Sequence, residues 1–275
     1  GQTVFGGSGI HALHTNPASF SLSDDVNYTL LSVTPWVLAD WGDLGGIGSE
    51  TNSDEALIDA AGSGYGAGMS FAAGLTGKGV GLGILGGIET EVFDSAGLRG
   101  LLNAELSAVV GYAMDLSLGE LTLIGGGDIR PLLRIYGTYP ESRAFEVGRA
   151  VKNPADLFAV LNKVENPYYG SGIGFDLGTQ LHYRDFALGA SLRDVGGTRI
   201  TAVQKETAKE AIAEMGSLAV NAGEEEFSEL IVPMSFALGL RYRPEFWSSE
   251  ELVPTLYGEI GDLFAEEAPI ETASA

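Results

Sequence analysis

The chain contains no cysteine, so it has no disulfide framework, no thiol nucleophile and no cysteine-based zinc site. Its compartment stays open on that count, because exported bacterial proteins are often free of cysteine too. Basic residues are scarce: 15 Lys and Arg stand against 37 Asp and Glu, a formal charge of −22. Such a charge repels phosphate and argues against nucleic acid as a partner. Long apolar runs are also missing. No stretch approaches the roughly 18 to 20 residues a membrane helix requires, and the richest, 79–88, is interrupted by glycine. Helical spanning is thereby excluded, whereas spanning by strands is not. Histidine is limited to His11, His14 and His182, none in an HExxH or a Ser/His/Asp order. No basic leader precedes Gly1, so any signal peptide is expected to have been removed.

Glycine is what the chain has in excess, 40 of 275 residues, about twice the usual share of roughly 7%. Without a G-X-Y period this excludes collagen. An apolar content of 45% with a mean hydropathy of +0.14 excludes a disordered acidic chain. Apolar residues recur at every second position, the period of a strand. Nine segments show it: 28–39, 64–75, 79–93, 101–116, 120–137, 170–183, 186–195, 230–243 and 252–264.

The two faces of these segments differ in kind. In 170–183 one face carries Phe175, Leu177, Thr179, Leu181 and Tyr183, and the other Gly174, Asp176, Gly178, Gln180 and His182. The segment 64–75 sets Met69, Phe71 and Leu75 against Gly66, Gly68, Ser70 and Gly74. A soluble antiparallel sandwich is the plain alternative, but its wet face normally carries Lys, Glu and Thr. Glycine in a strand interior is costly and calls for a reason such as close approach of another chain. An apolar outer face with a small or polar lumen suits a transmembrane barrel.

The connections point the same way. They are expected to run long (40–63), short (76–78), intermediate (94–100), short (117–119), long (138–169), short (184–185), long (196–229) and short (244–251). Tight turns at one rim and long loops at the other are the asymmetry of outer-membrane barrels. The long loops also collect acid, including Glu206, Glu210, Glu214, Glu224, Glu225 and Glu226. Short loop helices are expected over 157–164, after Asn153-Pro154, and over 205–218.

Ahead of the first strand, Gly6-Gly7-Ser8-Gly9-Ile10-His11-Ala12-Leu13-His14-Thr15-Asn16-Pro17-Ala18-Ser19-Phe20 runs without alternation. This resembles the N-terminal segment of the FadL-type outer-membrane family, the long-chain fatty-acid and hydrocarbon transporters and their PorV-like relatives. In that family a glycine-rich stretch leads to Asn-Pro-Ala and then into a 14-stranded barrel, and Asn16-Pro17-Ala18 is the matching motif. Gly172 to Gly178 and Leu188 to Gly196 look like a paired hairpin of spirochaete and related FadL/TraF-like barrels. The resemblance implies an all-β fold, an antiparallel transmembrane β-barrel with an N-terminal plug over 1–27 and the barrel over 28–275. It implies the outer membrane of a diderm bacterium, contact with membrane lipid, and passive import of a long-chain fatty acid or other hydrophobic ligand, with no enzyme activity and no cofactor. A PorV-like scaffold binding other cell-envelope proteins is the alternative. One departure matters: an odd ninth strand ends at the loop rim, and 265–275 lacks a terminal aromatic signal. An open edge is not tolerated in lipid, so either the barrel is truncated at its C-terminus or strands have been overlooked.

Candidate residues follow from parity and from the resemblance. Asn16, Pro17 and Ala18, with His11 and His14, would belong to the plug and its hinge. His11 and His14 at i, i+3 could ligate a metal only in a helix, which the glycine-rich context disfavours, and no metal is expected. Parity turns Asn103, Glu105, Asp128, Arg130, Arg134, Asp176, Gln180, His182, Arg193 and Arg241 toward the lumen, where opposite charges would pair because an unpartnered charge in a confined space is costly.

Overall fold

A computed structural model describes residues 4–5, 9–38, 65–94, 98–139, 164, 167–207, 210, 227–244 and 255–260. A single-turn helix α1 (Ala12–Thr15) and a 3-10 turn (Pro17–Ser21) come first. The strands are β1 (Asn27–Leu38), β2 (Tyr65–Gly77), β3 (Val80–Asp94), β4 (Leu98–Leu118), β5 (Leu121–Tyr139), β6 (Tyr168–Tyr183), β7 (Phe186–Arg193), β8 (Thr198–Gln204), β9 (Phe227–Val232), β10 (Ser235–Tyr242) and β11 (Leu256–Ile260). They form one antiparallel sheet in the order β1-β2-β3-β4-β5-β6-β7-β10-β11. Among the described residues no pairing joins β1 to β11.

The expected loop 196–229 contains β8 and the start of β9, and the expected strand 230–243 is two strands. The pairing explains both corrections. One end of β6 pairs with β7, from Leu177↔Leu192 to Tyr183↔Phe186, and the other pairs with β8, from Tyr168↔Gln204 to Gly172↔Ile200. Thus β7 and β8 are one long strand broken at 194–197, and β9 and β10 are another broken at 233–234. The two breaks face each other, since β7 pairs with β10 and β8 with β9. Asp194, Gly196 and Gly197 have φ of 50°, 79° and 80°, which turns the chain out of the ladder, and Pro233 has no N–H to give to one.

Tight turns at 78–79, 119–120 and 184–185 share one rim, and the connections 39–64, 140–167 and 205–226 share the other. The strict alternation expected of the loops fails twice. At the long-loop rim β3 and β4 are separated by 95–97 alone, and at the tight rim β10 and β11 are separated by 243–255. The expected loop helices fall almost wholly outside the described residues.

Burial runs against the pattern of a soluble sheet. On β6 the apolar Ile173, Phe175 and Leu177 are exposed, while Asp176 and Gln180 are buried. The same apolar face exposes Ile84 on β3, Val110 and Met114 on β4, Ile129 on β5 and Leu240 on β10. Near the tight turns it is edged with aromatics: Tyr112 and Tyr183 are exposed, and Phe186 stacks on Tyr242 at 4.6 Å. The opposite, inner face is covered by the N-terminal segment. Ile10, Leu13 and Phe20 form a buried cluster there with Ala72, Leu85, Val109 and Ala113.

Candidate functional site

The N-terminal segment is fitted to the inner face by glycines that leave no room for a Cβ. Gly81 lies under the ring of Phe20, where a Cβ would come within 2.5 Å of Cζ. On Gly126 it would come within 2.6 Å of the Pro17 carbonyl carbon, and on Gly178 it would collide with the Asn16 side chain. Asn16 caps the 3-10 turn: its Oδ1 accepts from the Ala18 N–H at 3.0 Å, with Pro17 at the first position of the turn. Its Nδ2 donates to the carbonyls of Val4 at 2.9 Å and of Ala190 on β7 at 3.1 Å. Every polar atom of this fully buried amide is therefore used. Gln180 donates to Ser19 Oγ at 2.9 Å, Ser191 Oγ to the Thr15 carbonyl at 2.9 Å, and the Val4 N–H to Glu259 on β11 at 2.9 Å.

Beyond the turn, β4 to β7 carry a buried charge network. Arg130 donates to Asp194 at 2.7 Å and lies 3.4 Å from Glu105 and 3.6 Å from Asp176. Arg134 Nε donates to Glu105 at 3.1 Å, and Arg193 lies 3.7 Å from Asp176. Asp194 accepts from Thr198 Oγ1 at 2.5 Å, and its N–H donates to Asp176 at 2.8 Å. One arginine thereby gathers carboxylates from three elements, offsetting the desolvation cost of burying any of them. Asp128, directly opposite Asp176 in the β5–β6 ladder, is buried with an Oδ1 that has no hydrogen-bond partner among the described residues.

A cavity of about 500 Å³ opens beside this network. Its apolar wall is Trp36, Met69, Leu85 and Leu132, and its polar wall is Arg130, Arg134, Arg193, Glu89, Glu105 and Asp194. Val232 and Pro233, at the break between β9 and β10, close one side, and His14 reaches in from the N-terminal segment. The His14 pKa is lowered to about 4, by burial first and then by Arg193, His11 and Arg130, with Glu105 acting against them. Its imidazole is thus neutral at pH 7. The arrangement can solvate an amphiphile along one apolar and one charged wall. Among the described residues no group of three or more His, Asp or Glu is placed to hold a metal ion.

Of the residues singled out in the sequence, Glu105, Arg130, Arg134, Asp176 and Arg193 meet in the network, and Asp128 lies beside it. Gln180 serves the N-terminal segment, and His182 Nε2 lies 3.0 Å from Gln180 Oε1. Arg241 sits apart from the network, its guanidinium 5.1 Å over the Phe5 ring. His11 is exposed ahead of α1. Asn103 accompanies the cavity wall and donates to Glu89 at 2.6 Å. Asp194 was hidden from parity. Continuing the alternation of β7 puts it on the apolar face, but its left-handed φ turns it inward. The glycine pair that follows it is the signal that could have revealed the break. No family model matches this chain, and neither the curated proteins nor the solved structures compared with it include a match.

Proposed function

We propose that this chain is a FadL-type β-barrel of a diderm outer membrane that passively carries a long-chain fatty acid or similar amphiphile and performs no chemistry on it. The observation that carries the reading is the inverted sheet: one face exposes Leu, Ile, Val, Met and Phe from β3 to β10, and the other buries an arginine-carboxylate network. An apolar surface extending over so many strands is a liability in water and an asset in lipid. The aromatic edge near the tight turns agrees with an interfacial girdle.

The ligand class is supported by the cavity, whose size falls within the usual range of roughly 300 to 1,000 Å³ for small-molecule pockets. Its paired apolar and charged walls suit a chain with a polar head. In the family the N-terminal segment plugs the barrel and the ligand leaves sideways through a strand kink. The facing breaks at 194–197 and 233–234 border this cavity through Asp194 and Pro233, and are the natural place for such an exit. Full-length protein should require detergent, show heat-modifiable gel mobility and bind radiolabelled laurate saturably, with binding lost on deletion of residues 1–20. Solubility in buffer alone would overturn the barrel. Membrane insertion without laurate binding would move the reading to a PorV-like scaffold.

A further inference from the structure

His14 is the single described residue of the N-terminal segment in the cavity wall. It faces Arg193 of β7, Arg130 of β5 and Glu105 of β4, with His11 near it on its own segment. Asp176 and Asp194 lie behind these groups as ion-pair partners of the two arginines, and Arg134 and Glu89 line the cavity on the β3–β5 side. The group most sensitive to a charge entering this end is therefore a neutral imidazole crowded by cations.

We propose that the His14–Arg193 end of the cavity is the head-group subsite for a carboxylate amphiphile, and that binding there takes up one proton from solvent onto His14. This rests on the transport reading above and adds to it where the head lies and what accompanies it. A carboxylate between Arg193 and the imidazole brings a second anion beside Glu105 and reverses the balance that keeps His14 neutral. The imidazolium then donates a charge-assisted hydrogen bond to the ligand. The tail runs along Leu85, Met69 and Trp36, the apolar wall. Since His14 belongs to the N-terminal segment, its new charge reports occupancy to that segment directly.

With only three histidines, [15N]histidine labelling resolves His14 in full-length protein held in a non-ionic detergent. At pH 7, laurate should convert the His14 signal from imidazole to imidazolium, and dodecanol, the same chain with an uncharged head, should leave it neutral. Calorimetry in two buffers of different ionisation enthalpy should show proton uptake approaching one per laurate. His14→Gln should abolish that uptake and weaken laurate by about three- to tenfold, the scale of one charge-assisted hydrogen bond, with dodecanol unaffected. Saturable laurate binding with His14 still neutral would overturn the coupling and leave transport standing. Equal weakening of laurate and dodecanol in His14→Gln would overturn the head-group placement. Failure of both ligands to bind the wild type would overturn the transport reading itself.

Discussion

On β5, Ile129 is 48% exposed, and the next residue, Arg130, is 5% exposed. The same contrast holds along β6 and β7, and it reverses what a soluble sheet does with its two sides. On the inner side, charges are tolerable because each is met by another charge and because glycines let the N-terminal segment close over the surface. On the outer side nothing comparable covers the apolar residues near the tight turns. Toward the long-loop rim this changes: Ile88, Leu102 and Tyr139 are buried in a cluster with Val164. The exposed part and the covered part of one apolar face thus mark where the proposed lipid contact ends.

Substitutions at neighbouring positions can break this comparison. The largest effect is expected from Arg130→Met, which strands Asp194, Asp176 and Glu105 without their shared cation and should cost about 3 to 5 kcal/mol, as for removal of one partner of a buried ion pair. Reversible urea unfolding in vesicles measures it. Next, Ile129→Arg should cost about 2 to 4 kcal/mol in a bilayer if the outer face meets hydrocarbon. A change within about 0.5 kcal/mol, as at an ordinary water-exposed position, would show that this face is wet. Third, Gly126→Val should destabilise by about 1 to 3 kcal/mol through overpacking against Pro17. Its neighbour Gly125, whose added Cβ would meet nothing within 4 Å, should accept valine without loss. Equal effects at 125 and 126 would remove the distinction between the faces.

The smallest expected effect is a pH dependence of the N-terminal segment. The pKa of His14 is about 4 in the folded chain against 6.5 for an ordinary histidine. As pH falls through 6.5 the unfolded chain takes up a proton that the folded one refuses, so stability declines between pH 6.5 and 4 and levels off below. By pH 5.5 the loss should be about 1 kcal/mol, and it should vanish in His14→Gln. An unchanged pH profile in that variant would place the acid sensitivity elsewhere.

Much of the sheet was legible because period-two alternation survives on every long strand. In β6 the separation of Phe175 and Leu177 from Asp176 and Gln180 reads directly from the chain. The breaks were not legible in the same way. Alternation resumes after 194–197 and after 233–234, so a pattern reader either joins the pieces, as over 230–243, or assigns β8 to a loop on account of its acidic surroundings. The inward set of charged residues was recoverable by parity, and Asp194 was the exception because a single left-handed residue inverts it. The seat of the N-terminal segment was legible only as a surplus of glycine. Which glycine receives Phe20 or Pro17 depends on how distant strands are juxtaposed, and no local pattern encodes that.

The bond from Val4 to Glu259 joins residues 255 positions apart. Loop-closure entropy makes contacts of such separation slow to form. The segment made first by the ribosome is therefore the one whose last attachment waits for β11. Between those moments Phe20 and Leu13 have only the early strands to rest on, and the half-built inner face is where a chaperone would find apolar surface to hold.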